Sequence, residues 1–304
     1  MSEMSKPIDH VATFVAGRGA DLIEELALRA CAVAGVAPTQ FEWLDAGVAA
    51  DVRFGLVESS LPQARARLHA ALEGESVDVV AQPFARRRKA LLVADMDSTI
   101  IAQECIDELA DVVGLRDRIA AITERAMSGE IEFEGALRER VALLAGLRVE
   151  DIEQILATRI TPTAGARALV ATMRANCAYA VLVSGGFAHF TDPIKAQLGF
   201  DEARSNRLEI EQGVLTGAIL PPILGREAKR AALQELCAAR GLDSAATLAI
   251  GDGANDLDML NHAGLGVAFH AKPRVANAAH ARIDYADLTA LLYAQGYRRS
   301  EFKE

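Results

Sequence analysis

Apolar positions along the chain change rhythm near residue 85. Before that point, short β-type runs alternate with helical spacing. His10–Ala16 is strand-like, and Asp21–Ala34 carries Leu22, Ile23, Leu26, Leu28 and Ala32 at helical intervals. Phe41–Leu44 and Val52–Val57 predict two further strands with Gly47 between them. Leu61–Leu72 predicts a second helix and Val77–Val80 a last strand. The order is βαββαβ.

Residues 83–89, Pro-Phe-Ala-Arg-Arg-Arg-Lys, break the pattern and predict a solvated linker. Ala90–Ala94 is then wholly apolar, as a strand buried on both faces requires. Glu104 to Arg159 has no proline and many helix formers. Glycines at 114, 129, 135 and 146 suggest break points between about four helices. Strand and helix alternate again from Ala164–Arg174 (helix) and Tyr179–Val183 (strand). Arg207–Ile219 predicts a hairpin turning at Gln212-Gly213. Glu227–Ala239, Thr247–Ile250, Asp256–Ala263 and Gly266–Phe269 continue as helix, strand, helix and strand. This alternation predicts an α/β doubly wound, mostly parallel sheet with a helical-bundle cap inserted after its first strand. The expected domains are 1–84 and 85–304, with the cap at about 105–160.

Length and composition narrow the class. A chain of 304 residues with 51% hydrophobic and 24% charged residues can bury a core without disulfide staples. The four cysteines are scattered, with no CxxC pair, which fits a reducing, cytoplasmic setting. The N-terminal segment has no apolar signal region, and no apolar run approaches the ~20 residues of a membrane span. A net charge of −10, with one short basic run, argues against a nucleic-acid partner.

Three strand ends carry chemistry. Asp95-Met96-Asp97-Ser98-Thr99 follows the buried strand, where open α/β sheets bind ligands. Its paired carboxylates call for a cation. An EF-hand is excluded, because Ile100 and Ile106 stand where that loop needs Gly and Glu. Ser184-Gly185-Gly186-Phe187 offers a hydroxyl and open backbone N–H groups suited to phosphate oxygens. Gly251-Asp252-Gly253-Ala254-Asn255-Asp256 brings hard oxygen donors that suit Mg²⁺ better than zinc. Taken singly, each is also an ordinary capped turn.

Together, DMDST, SGG and GDGAND with the helical insertion resemble the haloacid dehalogenase superfamily of Mg²⁺-dependent phosphatases. The likeness covers about residues 90–290 and is nearest to the branch acting on O-phospho-L-serine. It implies that Asp95 is the nucleophile and that Asp97 is the general acid and base, contacting Mg²⁺ through its backbone carbonyl. Asp252 would complete the metal set, with Asp256 supporting it. Ser184, Gly185 and Lys229 would bind the phosphoryl group, and Asn255 would orient the substrate. Glu104 would read the substrate ammonium and Arg140 its carboxylate, with Phe133 closing the pocket and Met127 a further candidate lining residue. The implied reaction is hydrolysis through an aspartyl-phosphate, the last step of a serine-forming route. Another small phosphomonoester (phosphohomoserine, phosphoethanolamine), a phosphotransferase side activity and a non-catalytic amino-acid sensor remain open. His189, two residues beyond the SGGF loop, reads as a packing or surface residue. Residues 1–84 resemble an ACT-type, ferredoxin-like domain, a module that often binds amino acids or pairs subunits; Gly17-Arg18-Gly19 lies where its ligand loop would be, and serine binding, pairing into a homodimer or neither stay open.

Overall fold

A computed structural model describes residues 9–56, 60–127 and 130–304. Two sheets organise it. The first contains β1 (Asp9–Ala16), β2 (Ala37–Asp45), β3 (Ala49–Gly55) and β4 (Val77–Pro83), all antiparallel, in the order β2-β3-β1-β4. Val57, expected in the third strand, lies outside the described residues. Helices Glu24–Val33 and Leu61–Ala71 cover one face. Leu26, Ala30, Cys31, Ala64 and Leu68 pack there with Phe14, Val52, Phe54 and Val79.

The second sheet contains β5 (Leu91–Ala94), β6 (Tyr179–Phe187), β7 (Glu202–Glu211), β8 (Val214–Leu220), β9 (Thr247–Gly251), β10 (Leu265–Phe269) and β11 (Ala281–Ile283). Their order is β11-β10-β9-β5-β6-β7-β8, parallel except for the β7–β8 hairpin. The hairpin turns at Gln212 (φ 50°) and Gly213 (φ 81°), the positive-φ pair that a two-residue hairpin turn needs. Leu92 and Ala94 on β5 face one core cluster, while Leu91 and Val93 face another. Both faces are therefore apolar, as the unbroken run required.

Four helices follow β5: Cys105–Val112, Arg116–Met127, Phe133–Ala142 and Val149–Thr158. Gly114 ends helix Cys105–Val112 with positive φ, and Gly146, also at positive φ, closes the turn after Phe133–Ala142. Gly135 does not break one; it sits in the first turn of Phe133–Ala142. The loop after that helix is stitched to the hairpin. Gly146 N donates to Leu215 O (2.8 Å), Leu215 N to Leu147 O (2.8 Å) and Val149 N to Gly213 O (3.0 Å).

The basic run is only partly solvated: Arg86 and Arg88 are exposed, but the other two residues are not. Lys89 is buried and donates Nζ to Ala245 O (2.9 Å). Arg87 pairs with buried Asp51, which also accepts from Thr13 Oγ1 (2.7 Å). Arg86 and Arg88 pair with Asp243 and Glu301. Chain composition could not reveal these partners, because they lie tens to hundreds of residues away.

The second face of the first sheet packs on the C-terminal segment. Val15, Leu44, Ala49 and Val80 share a buried cluster with Leu291, Leu292 and Tyr293. Buried Asp78 accepts the backbone N–H groups of Asp284 (2.8 Å), Tyr285 (3.1 Å) and Ala286 (2.8 Å). Gln82 Nε2 donates to Ala294 O (2.8 Å), and Tyr293 Oη donates to Asp45 Oδ2 (2.7 Å). Each hydrogen bond to a charged group contributes roughly 1.5–3 kcal/mol. Asp78→Ala, which leaves three backbone donors without their acceptor, is expected to lower unfolding free energy by about 2–4 kcal/mol in urea titrations.

Candidate active site

The site forms where β5, β6 and β9 end side by side. Asp95 follows β5 and donates its backbone N–H to Ile250 O on β9 (3.0 Å). Its Oδ1 accepts from Met96 N (2.8 Å) and from Lys229 Nζ (2.7 Å). Lys229, buried on helix Arg226–Arg240, also donates to Asp256 Oδ1 (2.5 Å). Asp256 Oδ2 in turn accepts from Gly253 N (3.0 Å). One ammonium thus bridges two buried carboxylates from different loops.

Asp95, Asp252 and Asp256 offer carboxylate oxygens that all lie within 4.8 Å of one another. Burial, then the Asp256 charge, push the Asp95 carboxyl well above its ordinary range, while Lys229 pulls the other way. Asp252 is pushed up to about 6, by burial first and Asp256 second. Burial works to lower Lys229, yet Asp256 and Asp95 hold it above the usual lysine range. With three carboxylates against one lysine, the cluster carries surplus negative charge, and clustered hard oxygen donors fit a divalent cation.

Asp97 points away from that cluster. Its Oδ1 accepts from Cys105 N (2.9 Å) and its Oδ2 from Ser184 Oγ (3.2 Å). Between them, Ser98 adopts a left-handed φ of 53° and donates Oγ to Glu104 (2.6 Å). Such backbone strain in a non-glycine residue is characteristic of functional sites. Thr99 Oγ1 reaches Asp252 Oδ1 at 3.4 Å.

The SGG segment belongs to β6, where the sequence suggested a loop beyond the strand. Pairing with β7 skips from Val183↔Arg204 to Phe187↔Asn206. Residues 184–186 are released from the ladder as a bulge, which aims backbone and side chain at a site. Ser184 Oγ accepts from Gly186 N (2.8 Å). Buried Asn206 donates to Gly185 O (2.8 Å) and accepts from Leu224 N (2.7 Å), tying this bulge to the loop before Lys229. Sequence reading missed Asn206, since a polar residue in a strand carries no distinguishing local signal.

The Phe133 ring covers Gly185 and Gly225. A Cβ at either glycine would meet the ring at 3.4 Å. Arg140, on the same cap helix, donates to Ala136 O and Thr123 Oγ1 (both 3.3 Å). Burial lowers its pKa, against the opposing charges of Asp107 and then Glu104. Asp107 and Thr123 were also missed; both lie on neighbouring cap helices, and only packing brings them to Arg140. Glu104 opens to the cleft, yet desolvation by its surroundings and then the Asp97 charge push it up to about 7. Asn255 folds over Gly253, and its side chain makes no hydrogen bond among the described residues. His189 is half-buried and its Nδ1 has no hydrogen-bond partner among the described residues. The Met127 side chain lies outside the described residues.

The haloacid dehalogenase-like hydrolase model matches residues 92–261, which span β5, the cap and the GDGAND loop. The chain belongs to that family. Among relatives of this hydrolase, a phosphoserine phosphatase of Streptomyces coelicolor is 46% identical over 233 residues, covering 76% of this chain but only 56% of that protein. A phosphoserine phosphatase of Albidiferax ferrireducens is 47% identical over 207 residues, covering 66% of this chain and 87% of its own. The crystal structure of a probable phosphoserine phosphatase from Vibrio cholerae superposes with a TM-score of 0.76 at 30% identity, covering 97% and 90% of the two chains.

Two outcomes test the cluster as a cation site. A divalent cation should raise the thermal unfolding midpoint of the wild-type chain and not that of Asp252→Ala. Lys229→Met should lower stability by about 3–5 kcal/mol, the cost of leaving buried charges without their partner. Added cation should recover part of that loss.

Proposed function

We propose that this hydrolase removes the phosphoryl group from O-phospho-L-serine, releasing L-serine and inorganic phosphate. What supports the substrate assignment is that Glu104 and Arg140, both from the cap side, lie near enough for the carboxylate's charge to act on the guanidinium. Glu104 is anchored to the DMDST turn through Ser98, and Arg140 senses its charge. A carboxylate and a guanidinium suit the two ends of an amino-acid head group, and the planar fork of Arg matches a carboxylate. Phosphoethanolamine would leave Arg140 without an anion. The similarity to phosphoserine phosphatases supports the same reading.

Asp95, Asp252 and the Asp97 backbone carbonyl would hold Mg²⁺ as the cofactor, with Asp256 completing the acidic cluster. When bound, it offsets the repulsion between carboxylate nucleophile and phosphate and stabilises charge in transfer. Asp95 attacks phosphorus, forming an aspartyl-phosphate as the ester P–O bond breaks. Asp97 gives its proton to the departing serine oxygen. The resulting Asp97 carboxylate then takes a proton from water, which attacks phosphorus and frees Asp95. Lys229, Ser184 and the Gly185 N–H hold the phosphoryl oxygens, and Asn255 orients the substrate. Phe133 closes the pocket against water. The working division is an N-terminal unit of 1–84 and a phosphatase unit of 85–304 with its cap at about 105–160. No helix among the described residues is long and apolar enough to cross a membrane, and a cytoplasmic reaction suits the four free cysteines.

Steady-state phosphate release tests the assignment. Asp95→Asn should fold and lose turnover; near-normal turnover would remove Asp95 as nucleophile. Arg140→Ala should lower kcat/KM for phosphoserine about 10- to 150-fold, the loss of one charge-assisted hydrogen bond, with little effect on an aryl phosphate that has no carboxylate. Equal losses on both substrates would make Arg140 structural.

The pH profile gives an independent check. Above about 7 Glu104 is ionised in the free enzyme and attracts the ammonium; below it, the proton removes that attraction. The kcat/KM for phosphoserine should therefore fall as pH drops through about 7. In Glu104→Gln that limb should vanish, leaving only the ionisation of the substrate phosphate.

A further inference from the structure

A cavity of about 570 Å³ lies where the two units meet, away from the three catalytic strand ends. Helix Leu61–Ala71 and the start of β4 form one wall, and residues 276–285, including β11, form the other. Its polar lining is unevenly satisfied. Half-buried Arg65 donates Nε to Ala81 O (2.7 Å), yet its guanidinium has no carboxylate partner among the described residues. The His69 imidazole has no hydrogen-bond partner there either. His280 uses Nδ1 to accept from Gly266 N (3.2 Å), leaving Nε2 for a ligand.

The carboxylates of the same cavity are already committed or exposed. Asp78 takes three backbone N–H groups, and Asp284 pairs with Arg282 at 2.9 Å. Glu73 is exposed. A partly desolvated guanidinium without a counter-charge is costly, and an incoming anion removes that cost. The field at both imidazoles has the matching sign. Burial first, then the positive charges of Arg282 and Arg65, lower His69 to about 4; burial, then Arg65 and Lys89, lower His280.

From this arrangement we infer that the seam is a binding site for a small oxyanion, a phosphoryl or carboxylate group held by Arg65 with His69 and His280. The occupant spans both units, so its binding free energy adds to the packing that joins helix Leu61–Ala71 to β11. The site is distinct from the Asp95 pocket and does not depend on the substrate assigned to it.

The test uses the full chain, with inorganic phosphate and malonate as separate probes at constant ionic strength. Imidazole NMR signals of His69 and His280 should shift saturably, while those of exposed His262 stay in place. A response to phosphate alone assigns a phosphoryl ligand, one to malonate alone a carboxylate ligand, and one to both a general oxyanion site. Arg65→Gln should bind at least about tenfold more weakly, the loss of one charge-assisted contact, with phosphate release in the absence of added anion unchanged. His69→Ala, which spares the Arg65–Ala81 bond, should weaken binding as well and serves if Arg65→Gln fails to fold. The inference is overturned if neither probe gives a saturable shift, or if the folded variants bind as tightly as wild type.

Discussion

The buried bridge from Lys229 to Asp95 and Asp256 is the constraint on which the site depends. Three segments far apart in the chain must meet at one ammonium: the end of β5, the loop after β9 and helix Arg226–Arg240. Each carboxylate would be costly to bury alone, and the lysine would be too. The bridge makes their joint burial tolerable while leaving Asp252 nearby and the cluster net negative. A site built this way is held ready for a cation and a phosphoryl group before either arrives, so little reorganisation remains for the reaction itself.

Around that bridge, the cap and the sheet divide the chemistry. The strand ends gather the acidic cluster and the SGG bulge, while Glu104 and Arg140 come from the inserted helices, and under the proposed reaction they would meet the rest of the substrate. Ser98 links the two sets. Its unusual backbone places Oγ against Glu104, so that carboxylate is tied to the turn that carries Asp95 and Asp97.

Much of this was legible in the sequence, for specific physical reasons. Leu91–Ala94 had to be a doubly buried strand because no polar residue interrupts it, and the carboxylates after it had to emerge at a sheet edge. Gln212-Gly213 announced its hairpin through the need for positive φ. What stayed hidden depends on distant partners. Asn206 looks like any strand polar residue until the bulge at 184–186 gives it a carbonyl to hold. Arg87 looks solvated until the fold brings Asp51 to it. Short elements such as β11 lie below the length at which apolar periodicity can be read, and helix Ala188–Leu198 was obscured by Pro193.

The stitching of the cap to the β7–β8 hairpin has a mechanical consequence. Gly146, Leu147 and Val149 extend the edge of the catalytic sheet by a few backbone hydrogen bonds, beside the two covalent connections that the insertion already has. The cap is therefore anchored like a three-legged table rather than a door on one hinge. Any motion that admits substrate must either bend the hairpin with the cap or break those bonds. A free swing of the cap about its two chain connections is therefore opposed by the hairpin. Under the proposed reaction, that restraint would help keep bulk water from the acidic cluster while the pocket is occupied.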